Sequence, residues 1–400
     1  MLIGLVEARF LLRLAGAALS LLLAYPARGQ VSAPTARISP FSRVLPLTDF
    51  YDTPTPLPAG EPGELIRSEP FDDYRLSYKV TAYRILYHSQ SGDGKDVAVS
   101  AALLLPQETP PTGGWPVVAW AHGLSGCSRE CAPSLRNNLN EGSLLSMYVG
   151  LGYAVVASDY AGLGTSFAPA PLDTRSNAMD VINAIVAARK ALPQMGKKWI
   201  VAGYGQGSQV AISVAAAEES LKDRNYLGAI AIAGPAEPRE FFDYLAQGPS
   251  YPTLVFLARG IKAVYPEFRV EEMLTDKGMR LYDYVAHSCD VSSGPVPERN
   301  DMLKSDWKNQ PYVQRFLARN AFAGKTAHGP LLLLAGENDQ ALPFKLVSNA
   351  AARLCGQKYQ VLLASYPEDS ASAVMENSVG EQVSWIRARF SGLPAPSNCR

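Results

Sequence analysis

From Pro116 onward the chain alternates short apolar runs with helix-forming segments, and this rhythm limits the possible folds more than any single residue does. PVVAWA (116–121), AVVAS (154–158), WIVA (199–202), AIAIA (229–233), PLLLLA (330–335) and the run 360–364 read as buried strands. Helical patterns fall between them at 142–148, 176–192, 206–217, 344–354 and 381–390, with Ser176 as the expected N-cap of the second. Short apolar strands alternating with helices imply an α/β fold: a mostly parallel sheet flanked by helices on both faces. Two earlier segments, 74–87 and 97–105, carry the aromatic and β-branched alternation of strands. The rhythm breaks at 235–327, a long aromatic-rich stretch of helical character. An insertion late in such a sheet reads as a helical cap or lid over its C-terminal edge, where ligands bind.

Ahead of the strands lies a different kind of chain. Residues 1–13 carry Arg9 and Arg13, residues 14–25 (LAGAALSLLLAY) are apolar, and Ala27-Arg28-Gly29 follows. That pattern reads as a signal peptide over 1–29, the apolar run being too short for a transmembrane segment. A secreted or periplasmic location follows. Residues 30–72 include TPTPLPAGEPG, and proline at that density disfavours regular structure. They are expected to form an arm, with the core at 73–234 and 328–400. The formal net charge is zero, which argues against nucleic acid or anionic lipid as an electrostatic partner. Five cysteines, Cys127, Cys131, Cys289, Cys355 and Cys399, would meet oxidising conditions, and an odd count leaves one unpaired or intermolecular. Their spacing suits neither zinc nor another metal. No cofactor is expected.

The segment Trp199–Val210, WIVAGYGQGSQV, runs from an apolar strand through a glycine-rich turn into a helix. In α/β-hydrolases this turn is G-x-S-x-G, with the nucleophilic serine at its tip. Gly203 and Gly207 fill the two glycine positions, and the tip is Gly205. The nucleophile position is vacant. The rival reading is a dinucleotide fingerprint, Gly203-x-Gly205-x-x-Ser208. Its third glycine is a serine, and the next strand ends in Ala-Gly-Pro with no acid for a ribose. Ser208 lies one helical turn past the tip and points elsewhere.

Leu331–Pro343, LLLLAGENDQALP, places Asp339 after a buried strand, where the triad acid of such enzymes stands. Its task there is to orient a histidine; its other reading is a loop or helix cap. All four histidines, His88, His122, His287 and His328, precede it, and the loop 365–373 that should supply the base has none. In Ala119–Ser134, AWAHGLSGCSRECAPS, a strand ends in His122-Gly123. The backbone amides of Leu124 and Gln206 are the oxyanion candidates. His122 reads as a structural histidine, and His287 and His328 as polar loop residues.

Together these motifs resemble the secretory lipase family, the Candida antarctica lipase A-like α/β-hydrolases. The resemblance spans about Phe50 to Cys399. It is carried by FYDTPTPLPAGEPGELIRSEP, VVAWAHG…CAPS, EGSLLSMYVGLGYAVVASDYAGLG, the GYGQG turn, GENDQALP and WIRARFSG…C. It implies an α/β-hydrolase fold, a helical cap inserted between late strands, and hydrolysis of acyl esters including triacylglycerols. It also implies disulfides Cys355–Cys399 and Cys131–Cys289, leaving Cys127 free. The family's serine falls on Gly205, its histidine near Ala371, and its acid on Asp339. Where the family often has His-Pro after the GLG turn, this chain reads SFAPA (166–170).

Triad residues act as a unit, so losing the serine costs about as much as losing all three. The expected function is therefore a pseudo-hydrolase (a pseudoenzyme) that recognises an acyl ester or lipid, or a protein partner, without turnover. The alternative is an active triacylglycerol lipase or carboxylesterase with a rearranged site, using His122 or His287 to activate water. The leader itself gives a direct test: N-terminal sequencing of the exported protein is expected to begin at Gln30, and a chain that retains residues 1–29 would contradict the signal peptide.

Overall fold

One sheet of nine strands organises the described residues, which in this computed structural model are 43–322 and 328–399. The expected signal peptide, the arm's first residues and the cap's last five lie outside them. The strands are β1 (Leu65–Pro70), β2 (Thr81–Gln90), β3 (Asp96–Leu105), β4 (Trp115–Ala121), β5 (Ala154–Ser158), β6 (Met195–Tyr204), β7 (Tyr226–Ile232), β8 (Leu331–Gly336) and β9 (Val361–Tyr366). Their order is β1-β2-β3-β5-β4-β6-β7-β8-β9. The pairs among β1, β2, β3 and β5 are antiparallel, and from β5 through β9 every pair is parallel.

The helices are α1 (Gly142–Gly150), α2 (Thr174–Ala191), α3 (Gln206–Leu221), α4 (Pro238–Gln247), α5 (Leu254–Val264), α6 (Asp276–Val285), α7 (Pro311–Asn320), α8 (Phe344–Gly356), α9 (Ala371–Asn377) and α10 (Val379–Phe390). Alternate strand residues face opposite sides. Val117, Ala119, Val201 and Ala229 pack under α2 and α3, while Val118, Trp120, Ile200 and Ile230 pack against α1 and α10. Both faces are thus buried, which is why the strands are uniformly apolar.

Three local expectations need correction. The segment assigned to the arm ends in a strand, β1, whose residues alternate along the edge of β2 rather than avoiding regular structure. Residues 74–80 do not join a strand; β2 begins at Thr81. Ser176 does not cap α2. It sits inside the first turn and donates to the carboxylate of Asp173, the residue preceding the helix, at 2.7 Å.

Helices α4 to α7 lie between β7 and β8, in the stretch expected to be the cap, and share a core of their own including Phe242, Leu257, Met273, Leu281 and Phe316. Several bonds fix these helices to the sheet domain, among them Tyr244 donating to the Gln340 carbonyl at 2.8 Å and Arg353 of α8 paired with Glu240 of α4. Cys131 is bonded to Cys289, and Asp173, with a fully buried side chain, takes Arg319 of α7 at 2.8 Å. Beside that ion pair, Thr174 Oγ1 donates to Asn320 Oδ1 at 3.1 Å. The second disulfide, Cys355–Cys399, ties α8 to the C-terminal segment, and Cys127 is buried as a free thiol. Among the described residues, no helix is long and apolar enough to cross a membrane.

Several carboxyls are enclosed by this packing. Asp159 accepts from Ser100, Ser134 and the Ser134 amide; Asp180 accepts from Ser89 and the Ala161 amide. Burial raises Asp159 to about 6 and Asp180 to about 7 despite these donors, and raises Glu141 to about 8. A carboxyl whose pKa is higher folded than unfolded favours the fold when protonated. That contribution is complete below the ordinary carboxylate range and is lost as pH rises through these values. The midpoint of thermal unfolding is therefore expected to fall between about pH 5 and about pH 9; a midpoint that climbs steadily across that window would refute the assignment.

Candidate active site

The end of β6 turns sharply into α3, and three glycines make the turn. A Cβ on Gly207 would collide with the Ala121 carbonyl oxygen of β4, and one on Gly203 with the carbonyl of Gly207. The first turn of α3 therefore lies directly on the adjoining strands, an approach that only glycine permits. Gly205, between them, has φ 56° and ψ −115°. This is the strained geometry that presents a nucleophile in such folds. A Cβ there would meet no atom within 4 Å. The turn keeps the conformation and the space for a serine but has no oxygen to offer.

Ser208 does not substitute for it. Its hydroxyl is buried and donates to the Gly205 carbonyl at 2.7 Å, inside the turn. The oxyanion candidates are close together: Leu124 and Gln206 line one small cavity with His122, Ser125, Tyr160 and Asn177. Gln206 opens α3, so its amide is one of the helix's donors without an intrahelical acceptor. The cavity measures about 10 Å³, room for about one water. The Ser125 hydroxyl is buried with no hydrogen-bond partner among the described residues.

Asp339 lies just past β8, 6% exposed. Its Oδ1 accepts the amides of Ala341 and Leu342 at 2.8 and 3.0 Å. These bonds build the turn that leads into α8, a structural task needing no histidine. Burial raises its pKa, opposed by those two amides. Ala371 opens α9, after Ser370, whose hydroxyl caps that helix on the Ala373 amide. The stretch 365–373 is thus not one loop: Ser365 and Tyr366 end β9, and α9 begins at Ala371. The short turn between them lies against the Asp339 loop, with Glu337 N donating to Tyr366 O at 2.9 Å and Asn338 N to Asp369 O at 3.2 Å. The two triad loops are adjacent, and no imidazole stands between them.

The four histidines are engaged elsewhere. His122 is buried with Nδ1 2.6 Å from the Gly123 carbonyl and Nε2 3.0 Å from the Asp159 carbonyl, its ring stacked on Tyr160. Burial lowers its pKa to about 4, opposed by the Asp159 and Gly123 carbonyls toward which its two nitrogens turn. His287 is exposed and influences Glu130. His328 precedes β8 at the opposite end of the sheet, 4.0 Å from Glu219, and His88 pairs with Asp96 at 2.9 Å. Among the described residues no cluster of His, Cys, Asp or Glu is suited to a metal.

Two tyrosines near the site were not evident in the sequence. Tyr204, beside Gly205, and Tyr244, in α4, both feel the Asp339 charge, although burial is the larger cause of their raised pKa values. Tyr204 at about 12 is no base near neutrality. Only the cap's return over the sheet brings Tyr244 here, so no local motif announces it.

Comparison with known proteins agrees with this geometry. The family model for secretory lipases matches residues 139–398. The chain belongs to the secretory lipase family. A secreted triacylglycerol lipase of Malassezia globosa is 22% identical over 347 residues, covering 80% of this chain and 74% of that protein. Lipase 10 of Candida albicans is 25% identical, covering 88% and 82%. Among solved structures, Candida antarctica lipase A matches with a TM-score of 0.75 at 16% identity, covering 89% of each chain. A rice cell wall degrading esterase of Xanthomonas oryzae matches with 0.68 at 19%, covering 83% and 98%. The chain is accordingly an α/β-hydrolase scaffold of lipase and esterase type.

Two of the elbow glycines, Gly205 and Gly207, are expected to respond differently to alanine. Gly205→Ala should lose about 1–3 kcal/mol through backbone strain alone, whereas Gly207→Ala should lose more because α3 must lift off β4. Denaturant unfolding measures both, and equal losses at the two positions would contradict the packing described.

Proposed function

We propose that this protein is an exported member of the secretory lipase family that binds an acyl ester or lipid without hydrolysing it. One observation carries the reading: position 205 has the backbone of a nucleophile elbow and no side-chain oxygen. The second loss, of the histidine near Ala371, supports it. With no imidazole to orient, Asp339 serves the turn before α8. An oxyanion site at Leu124 and Gln206 would still polarise a bound ester carbonyl, since that site depends on backbone amides. Polarisation without a nucleophile gives binding and, at most, weak acceleration. The family supports the ligand class, an acyl ester or lipid held under the cap. The leader read at residues 1–29 supports export.

The test is hydrolysis of p-nitrophenyl butyrate and octanoate by the purified mature protein, beside a Gly205→Ser, Ala371→His double variant. The native protein is expected to be silent against a heat-denatured control, and the double variant to turn over. Turnover by the native protein, lost on Asp339→Asn, would instead establish an active lipase or carboxylesterase with a rearranged site.

A further inference from the structure

The loop after β4 carries one polar group that the fold itself leaves idle. Ser125 Oγ is buried and has no hydrogen-bond partner among the described residues. Such a hydroxyl is uncommon in a folded protein, because enclosing it without a partner costs free energy. Ser125 as a whole is half-buried, so the enclosed hydroxyl lies just beneath the surface. It lines the same small cavity as Leu124 and Gln206, whose amides are the oxyanion candidates.

Most other polar groups around that cavity are committed. Both His122 nitrogens turn to main-chain carbonyls, the Tyr160 hydroxyl donates to the His122 carbonyl at 3.1 Å, and Gln206 Oε1 accepts the Leu172 amide at 3.1 Å. Asn177 of α2 completes the polar wall. At about 10 Å³ the cavity takes one oxygen atom, the size of a single water. The backbone behind the hydroxyl is fixed. Gly126 follows with φ 124°, and a Cβ there would meet Cys131 Sγ at 2.6 Å and Cys289 Cα at 3.0 Å. Ser125 is therefore carried by chain packed against the Cys131–Cys289 crosslink, and a donor held in this way reorganises little when an acceptor arrives.

Resting on the reading that this site holds an acyl ester, we propose that the Ser125 hydroxyl is a third donor of the carbonyl-binding site, beside the amides of Leu124 and Gln206. One acceptor oxygen fills the cavity: a water in the free protein, and the carbonyl oxygen of the acyl group in the complex. Ser125 thereby tunes the site toward carbonyl ligands, since a chain without an acceptor leaves the hydroxyl unmet.

The test is isothermal titration of the mature protein and its Ser125→Ala variant with 2-octanone. A ketone has the carbonyl but no ester bond, so it reads the hydroxyl whether or not the protein hydrolyses esters. The variant is expected to bind 2-octanone about three- to tenfold more weakly, the weight of one net hydrogen bond. Infrared difference spectra of the bound, carbonyl-labelled ketone should show its C=O stretch at higher frequency in the variant than in the native protein. The thermal midpoint of the free protein should stay unchanged, because the hydroxyl has no protein partner to lose. Unchanged ketone affinity and C=O frequency in the variant, or a lowered midpoint with unchanged affinity, overturn the role of Ser125 alone. A native protein that does not bind 2-octanone overturns both this role and the acyl-ligand reading, whereas ester turnover by the native protein overturns only the non-hydrolytic reading.

Discussion

Helix α3 begins where it does because Gly207 lies directly on the carbonyl of Ala121, with Gly203 beneath the carbonyl of Gly207. No residue with a Cβ fits that crossing. The contact holds β4, β6 and α3 together at the C-terminal edge of the sheet and fixes the backbone of the elbow. From β4 the chain passes into the Leu124 loop, which is held to the cap through Cys131–Cys289. On the other side, Asp173 and Arg319 pin α7 to the start of α2. The shape of the site thus follows from packing that has nothing to do with catalysis.

This distinction accounts for which parts of the triad are present. Gly203 and Gly207 are required by packing. Asp339 is required by the turn before α8, whose amides it accepts. A serine at 205 and a histidine near 371 are required by neither. Position 205 opens on empty space, and Ala371 is half-exposed at the start of a short helix. Glycine at 205 even relieves strain, since it adopts positive φ without the penalty a serine incurs there. Stability therefore favours the vacant elbow, and only a need for chemistry would oppose it.

Much of this was legible in the sequence, where local chemistry decides the outcome. Apolar strand runs marked every parallel strand to within a few residues, and GYGQG marked the elbow because tight backbone crossings leave glycines as their trace. The absence of histidine after Asp339 could be read by inspection. Less legible were features set by distant partners. Strand β1 was hidden in a proline-rich stretch because it forms only by pairing with β2. Ser176 looked like a cap, yet the helix is preceded by Asp173, three residues earlier, whose carboxylate takes Ser176 and Arg319.

The sequence by itself determined the parallel part of the sheet, the glycine elbow at 203–207 and the absence of histidine after Asp339, since each depends on residue type at a fixed local spacing. Tertiary structure alone decided the rest. It enclosed the His122 ring between two main-chain carbonyls, buried Ser208 in the turn, and set Tyr244 near Asp339. These outcomes depend on which surfaces meet across more than a hundred residues, and burial, unlike spacing, is a property of the assembled fold.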